Sequence, residues 1–216
     1  MITKRIKEIR DSINKDVELV AVSKTKSNKE ILEAYNAGQK VFGENKIQEM
    51  TEKYEELPKD IKWHMVGHVQ SNKIKYMAPY VDLVHGIDSL KSLKILNKEA
   101  KKNNRVIKCL LQLKISDEFT KFGLSKGEIE SILNSVNILD LMNINVAGIM
   151  TIGSFTENMN VVVKEFDKTK KIFDSLKTAF PNLKILSMGM SNDYKIAINH
   201  GSNMIRVGSL IFGKRI

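Results

Sequence analysis

The sequence predicts an α/β fold: a single (β/α)8 TIM barrel with an additional N-terminal helix, one domain spanning residues 1–216. Three observations predict it. Eight short apolar runs recur along the chain, segments of helical spacing separate them, and the runs are too uniformly apolar for one face of a sheet to meet water.

In chain order, Ile2, Ile6, Ile9 and Ile13 line one face of a helix, so the chain opens with an amphipathic helix before any strand. The apolar runs are 19–23, 41–43, 63–66, 81–87, 106–113, 146–152, 184–188 and 204–207. Between them Ile31/Leu32/Tyr35, Leu90/Leu93/Leu96, Ile129/Ile132/Val136 and Phe166/Ile172/Phe173/Leu176 carry helical periodicity. Ser27 with Glu30, and Ser125 with Glu128, fit capping boxes that satisfy first-turn amides, and Gly38 stands where a helix C-terminus needs it. A doubly wound open sheet competes with the barrel, since periodicity cannot tell them apart. No GxGxxG follows the first strand, which counts against a dinucleotide fold.

Composition bounds the function. The 216 residues are 42% hydrophobic and 28% charged with only 3 Pro, enough to bury a full core and unlike a disordered chain. The formal net charge is +10, but the lysines are spread between apolar positions and no arginine-rich arm appears. Nucleic acid is therefore not expected as a partner, whereas a small phosphorylated ligand fits the charge. The lone Cys109 lies in an apolar run and excludes an internal disulfide framework, pointing to a reducing cytoplasm. Charges interrupt the N-terminus where a signal peptide would be apolar, and no apolar run reaches the roughly 18 residues of a membrane span. No membrane partner is expected.

In such a barrel, ligands meet the C-terminal ends of the strands, and phosphate often sits in the loops after strands seven and eight. Strand seven ends in Ser187-Met-Gly-Met-Ser191 and strand eight in Arg206-Val-Gly-Ser209. Gly189 and Gly208 allow close backbone approach, and Ser191 and Ser209 can donate to a phosphate. Tight turns alone would explain either loop, but both strand ends carry the pattern. Lys24 closes the first strand, where partial desolvation favours the neutral amine that attacks an aldehyde; a snorkelling strand-end lysine is the structural alternative. Arg206 lies within an apolar strand and needs a partner inside the barrel: a cofactor ring nitrogen, a phosphate, or an ion pair with Asp88 or Glu44. His64 and His68 have the spacing of a helical zinc pair but lie in a strand pattern, which separates them too far, so no metal site is expected.

Seven ordered motifs carry a resemblance: Ala21-Val-Ser-Lys24, Phe42-Gly-Glu-Asn45, Trp63-His-Met-Val-Gly-His-Val-Gln-Ser-Asn-Lys73, Lys121-Phe-Gly123, Gly148-Ile-Met-Thr151, Ser187-Met-Gly-Met-Ser191 and Arg206-Val-Gly-Ser-Leu-Ile-Phe-Gly213. Over essentially its whole length the chain resembles the pyridoxal phosphate homeostasis protein family, small relatives of the alanine racemase N-terminal barrel. The resemblance implies pyridoxal 5′-phosphate as cofactor, held as a Schiff base on Lys24. It implies a phosphate site of Ser191, Gly208 and Ser209, Arg206 facing the pyridine nitrogen, and Asn45 near the ring. Two positions depart from the family pattern, Gly86 in place of a frequent serine and Lys114 in place of a common asparagine, and both put rim contacts in doubt.

An arginine at the ring nitrogen disfavours pyridine protonation and weakens the ring as an electron sink. Racemisation also needs an acid and a base on opposite faces of the substrate carbon. In alanine racemases the opposing tyrosine comes from a second domain, for which a chain ending at Ile216 has no room, and the five tyrosines here fall in helices or loops. The expectation is therefore a monomeric, non-enzymatic carrier of pyridoxal phosphate, with no catalytic residue assigned, that regulates vitamin B6 and amino-acid balance and has pyridoxal-phosphate-dependent apoenzymes as candidate recipients. The alternatives are an amino-acid racemase and a barrel aldolase that forms its Schiff base through Lys24 with a phosphorylated sugar.

Overall fold

In the computed structural model, which describes residues 1–115, 122–138 and 141–213 but not the side chains of 136–138, the eight strands close into a barrel in sequence order. The strands are β1 Glu18–Val22, β2 Val41–Glu44, β3 Lys62–Met65, β4 Leu83–Ile87, β5 Ile107–Leu113, β6 Ile144–Thr151, β7 Ile185–Ser187 and β8 Met204–Val207. Every neighbouring pair is parallel, including β1 with β8. All eight predicted runs coincide with strands, and the closed order excludes the open sheet.

The helices are α1 Ile2–Asp11, α2 Asn28–Asn36, α3 Ile47–Glu56, α4 Ile74–Met77, α5 Leu90–Lys102, α6 Lys126–Ile138, α7 Met159–Ala179, α8 Tyr194–Asn199 and α9 Ser209–Phe212. The α1 helix buries Ile2, Ile6 and Ile9, as its spacing requires. Ser27 and Glu30 form the reciprocal capping box of α2, and Ser125 and Glu128 exchange the same bonds at α6. Gly38 follows α2 at φ 87°, a left-handed conformation that only glycine adopts without strain. Val136 and Lys121, both used in the sequence reading, lie outside the described side chains and residues respectively.

Strand parity divides the core into two. Leu19, Ala21, Phe42, Trp63, Met65, Cys109, Leu111, Ile149, Leu186, Ile205 and Val207 point outward and pack under the helices. Val20, Val41, Val66, Leu83, Leu110, Met150 and Met204 form a separate cluster inside the barrel. Because side chains alternate along a strand, Arg206 shares the inward face of β8 with Met204, and His64 shares that of β3 with Val66. Along β4 and β8 the inward residues change from apolar to polar toward the C-terminal mouth, Leu83 to His85 and Met204 to Arg206, whereas on β3 the polar His64 is level with Leu83 and the apolar Val66 lies beyond it. Among the described residues, no helix is long and apolar enough to cross a membrane.

Candidate functional site

The site is assembled by strand register. On one side of β1, Val20 pairs with Arg206 and Ala21 with Val207; on the other, Val22 pairs with Gly43. Two residues beyond Val22, Lys24 therefore stands level with Asn45, and Gly208 is level with Val22 itself. Gly208 is held so close to β1 that a Cβ on it would lie 3.2 Å from the Val22 carbonyl oxygen. On the far side, Ser187 pairs with Met204, which sets Ser191 level with Gly208. Lys24, Asn45, Ser191, Arg206, Gly208 and Ser209 thus occupy four adjacent strand ends, β7-β8-β1-β2, on the C-terminal mouth.

The cup between β7 and β8 has the donors a phosphate needs. The Gly208 and Leu210 amides both donate to Ser191 Oγ, at 3.3 and 3.5 Å, so one hydroxyl and two amides already converge on a point. In α9 the Ile211 and Phe212 amides are taken by the Gly208 carbonyl at 3.0 and 2.9 Å, which leaves the amides before them to face the cup. The loop that delivers Ser191 is set by the Met190 amide donating to the Asp193 carboxylate at 2.5 Å and by Gly189 at φ 96°. A Cβ on Gly189 would meet that of Ala197 at 2.6 Å.

Lys24 is half-buried in a tight turn that the Lys26 amide closes onto the Ser23 carbonyl at 3.0 Å. Thr25 follows it at φ 64°, a conformation uncommon for a residue with a Cβ. A buried ion cluster clamps both flanks of that turn. Lys53 Nζ donates to the Ser23 carbonyl (2.8 Å), to Glu44 Oε1 (2.8 Å) and to Glu49 Oε1 (2.7 Å). Ser23 Oγ donates to Glu44 Oε1 (2.6 Å), and the Thr25 amide to Glu49 Oε1 (2.6 Å). Burial pushes the Glu44 carboxyl above its ordinary range, with Lys53 and Ser23 opposing it, and Glu44 Oε2 has no protein partner.

Arg206 is almost wholly buried. Its Nη1 donates to Ser187 Oγ at 2.7 Å and its Nη2 to the Thr151 carbonyl at 2.8 Å. Burial lowers the guanidinium to about 10, with Asp193 acting against the shift, so it stays cationic at neutral pH. The ion pairs weighed for it do not occur: Glu44 pairs with Lys53, and Asp88 lies 3.2 Å from His68. His64 and His68 are engaged separately, His64 inside the barrel with Asp82 and His85, His68 at the mouth, where its ring stacks on Phe122 at 4.4 Å.

Sequence reasoning missed Lys53, although its spacing could have flagged it. Ile47, Met50 and Lys53 follow one another at threes on the buried face of α3, so a lysine there must be paired. It also missed the inward pairing of His64, His85 and Ser187, which strand parity makes visible only once the register is known.

The alanine racemase N-terminal domain family matches residues 1–215. A pyridoxal phosphate homeostasis protein of Aquifex aeolicus is 38% identical over 200 residues, covering 92% of this chain and 87% of that one. One from Escherichia coli K12 is 34% identical over 231 residues, covering 99% and 97%. The structure of PipY from Synechococcus elongatus PCC7942, with PLP bound, superposes with a TM-score of 0.90 at 32% identity, covering 99% of this chain and all of that one. An alanine racemase of Clostridium difficile 630 shares the fold at 16% identity and a TM-score of 0.81, with 56% of its own length covered.

Proposed function

This chain belongs to the alanine racemase N-terminal domain family, with the pyridoxal phosphate homeostasis proteins as its full-length relatives, and we propose that it binds pyridoxal 5′-phosphate and regulates its intracellular supply. The observation that carries this reading is the register match: a strand-end lysine, a hydroxyl-and-amide cup and a buried arginine meet on adjacent strands of one mouth. That donor set suits the group. In the proposed complex Ser191, Ser209 and the amides of the β8 loop would hold the phosphate, Arg206 would meet the pyridine nitrogen, Asn45 would lie near the ring, and Lys24 would hold the aldehyde as a covalent Schiff base.

When bound, the cofactor would supply an electrophilic carbonyl carbon and a ring able to delocalise charge. This chain's own residues restrain that chemistry. A cation at the ring nitrogen disfavours protonation there. The tyrosines lie at Tyr35 in α2, Tyr54 in α3, Tyr76 in α4, Tyr194 in α8 and Tyr80 in the turn before β4, and none is at a strand end. The proposed role is therefore a non-enzymatic, monomeric carrier in a reducing cytoplasm that delivers the cofactor to pyridoxal-phosphate-dependent apoenzymes. The racemase alternative has one candidate second proton carrier at the mouth, His68 beside Asp88.

The test is the visible spectrum of the protein reconstituted with pyridoxal phosphate, recorded for the natural chain and for Lys24→Ala, followed by incubation with L- and D-amino acids. A lysine-bound chromophore absent from Lys24→Ala is the expected result, and a colourless natural chain defeats the reading. Sustained interconversion of enantiomers, lost in Lys24→Ala, replaces it with the racemase.

A further inference from the structure

A line of buried polar side chains crosses the barrel interior behind Arg206. Arg206 Nη1 donates to Ser187 Oγ at 2.7 Å, and Ser187 Oγ lies 3.3 Å from His85 Nδ1. His85 Nε2 lies 3.1 Å from His64 Nδ1, and His64 Nε2 lies 3.5 Å from Asp82 Oδ2. His64, His85 and Ser187 are each at most 1% exposed; Asp82, just before β4 at the opposite end of the barrel, is the link that water reaches.

With both imidazoles neutral, the chemistry of the two ends leaves one direction for the protons. A guanidinium only donates, and an ionised carboxylate only accepts. The hydrogen bond from His64 holds the Asp82 carboxyl below its usual range, so that end is an acceptor at neutral pH. Ser187, accepting from Arg206, passes its own proton to His85 Nδ1. His85 then carries its hydrogen on Nε2 and donates to His64 Nδ1, which leaves His64 with an Nε2–H directed at Asp82. Burial above all, with the Arg206 cation acting in the same direction, holds the His85 imidazole well below its ordinary titration range, consistent with a neutral ring between two partners.

We infer that His85 and His64, both neutral and protonated on Nε2, form a one-way hydrogen-bond chain anchored on Asp82 that positions the Arg206 guanidinium for the cofactor ring. His85 is the positioning residue at its centre. Hydrogen bonds aligned in series polarise one another, so the chain holds Ser187 as a stronger acceptor for Arg206 than an isolated hydroxyl would be. The assignment of Arg206 to the ring rests on the function proposed above; the direction of the chain does not.

Two measurements separate these. Long-range proton–nitrogen NMR correlations on the 216-residue chain without cofactor, near neutral pH, report the ring protonation of each histidine, assigned with His64→Gln and His85→Gln. Both rings should appear neutral with Nε2–H, and an Nδ1–H ring or an imidazolium at either position overturns the chain. On the chain loaded with pyridoxal phosphate, His85→Leu should release cofactor about tenfold faster, the size of one lost buried hydrogen bond, while His85→Gln, whose carbonyl and amide can replace both ring contacts, stays within about twofold of the natural chain. Equal release from Leu and Gln variants overturns the positioning role. If the natural chain takes up no cofactor, the proposed function falls, the positioning role falls with it, and the ring protonation still decides the chain.

Discussion

Replacing Lys53 with methionine is the sharpest probe of how the Lys24 turn is held. The substitution keeps the apolar stem that fills the space under β1 and removes one buried ammonium, together with its bonds to Ser23, Glu44 and Glu49. What remains is the Glu44 carboxylate, fully buried and supported only by the Ser23 hydroxyl, with Oε2 already lacking a protein partner. Removing one member of a buried ion pair costs about 3–5 kcal/mol, because the other charge is left without compensation. In a domain of this size, with about 2–4 °C of Tm per kcal/mol, that corresponds to a fall of very roughly 10 °C.

The pH dependence gives the sign. Burial raises the Glu44 pKa in the folded state above its ordinary value, so its ionisation weighs against folding, and stability on this account is greatest in acid and is lost as pH rises through the folded value. Lys53 opposes that rise, so its loss moves the Glu44 pKa further up and the deficit of Lys53→Met grows with pH. Urea denaturation of the variant should therefore show a smaller loss at about pH 5.5 than at about pH 8, and adding Glu44→Gln should recover part of it at the higher pH by removing the stranded charge. A loss independent of pH, or a double variant weaker than Lys53→Met at the higher pH, would refute the account.

Three further outcomes follow from the geometry. Gly148→Ala places a Cβ 1.8 Å from the Ile185 carbonyl oxygen, a backbone atom of the paired strand, and should cost about 3 kcal/mol or more, or prevent folding, as read by circular dichroism and urea titration. Ser191→Ala removes the hydroxyl on which the Gly208 and Leu210 amides converge, and should weaken pyridoxal phosphate binding by about tenfold in equilibrium dialysis with little change in Tm. Cys109 is buried and its thiol is pushed up to about 12 by desolvation alone, so it should resist a disulfide reagent at mildly alkaline pH until denaturant is added.

The sequence by itself determined the alternation of strands and helices and nominated the candidate cofactor residues, because both leave one-dimensional signals, whereas closure of the sheet into a barrel was decided by the structure. Buried parallel strands are short apolar runs, helices repeat every three to four residues, and a barrel presents its ligand groups at strand ends, so Lys24, Ser191, Arg206 and Ser209 stand out by position alone. Asn45 carried no such signal and entered through resemblance. Only the tertiary structure decided which groups support those contacts. Lys53 reaches Ser23 across thirty positions of chain, and His85 reaches Ser187 across more than a hundred. Such pairings depend on strand register and on which neighbours share the barrel interior, and a single residue of slip would turn each side chain to the opposite face. The partner of a buried charge is set by three-dimensional packing, and for that reason the ion pair with Asp88 or Glu44, one of the alternatives open to Arg206 in the sequence, gives way to Ser187 and the Thr151 carbonyl.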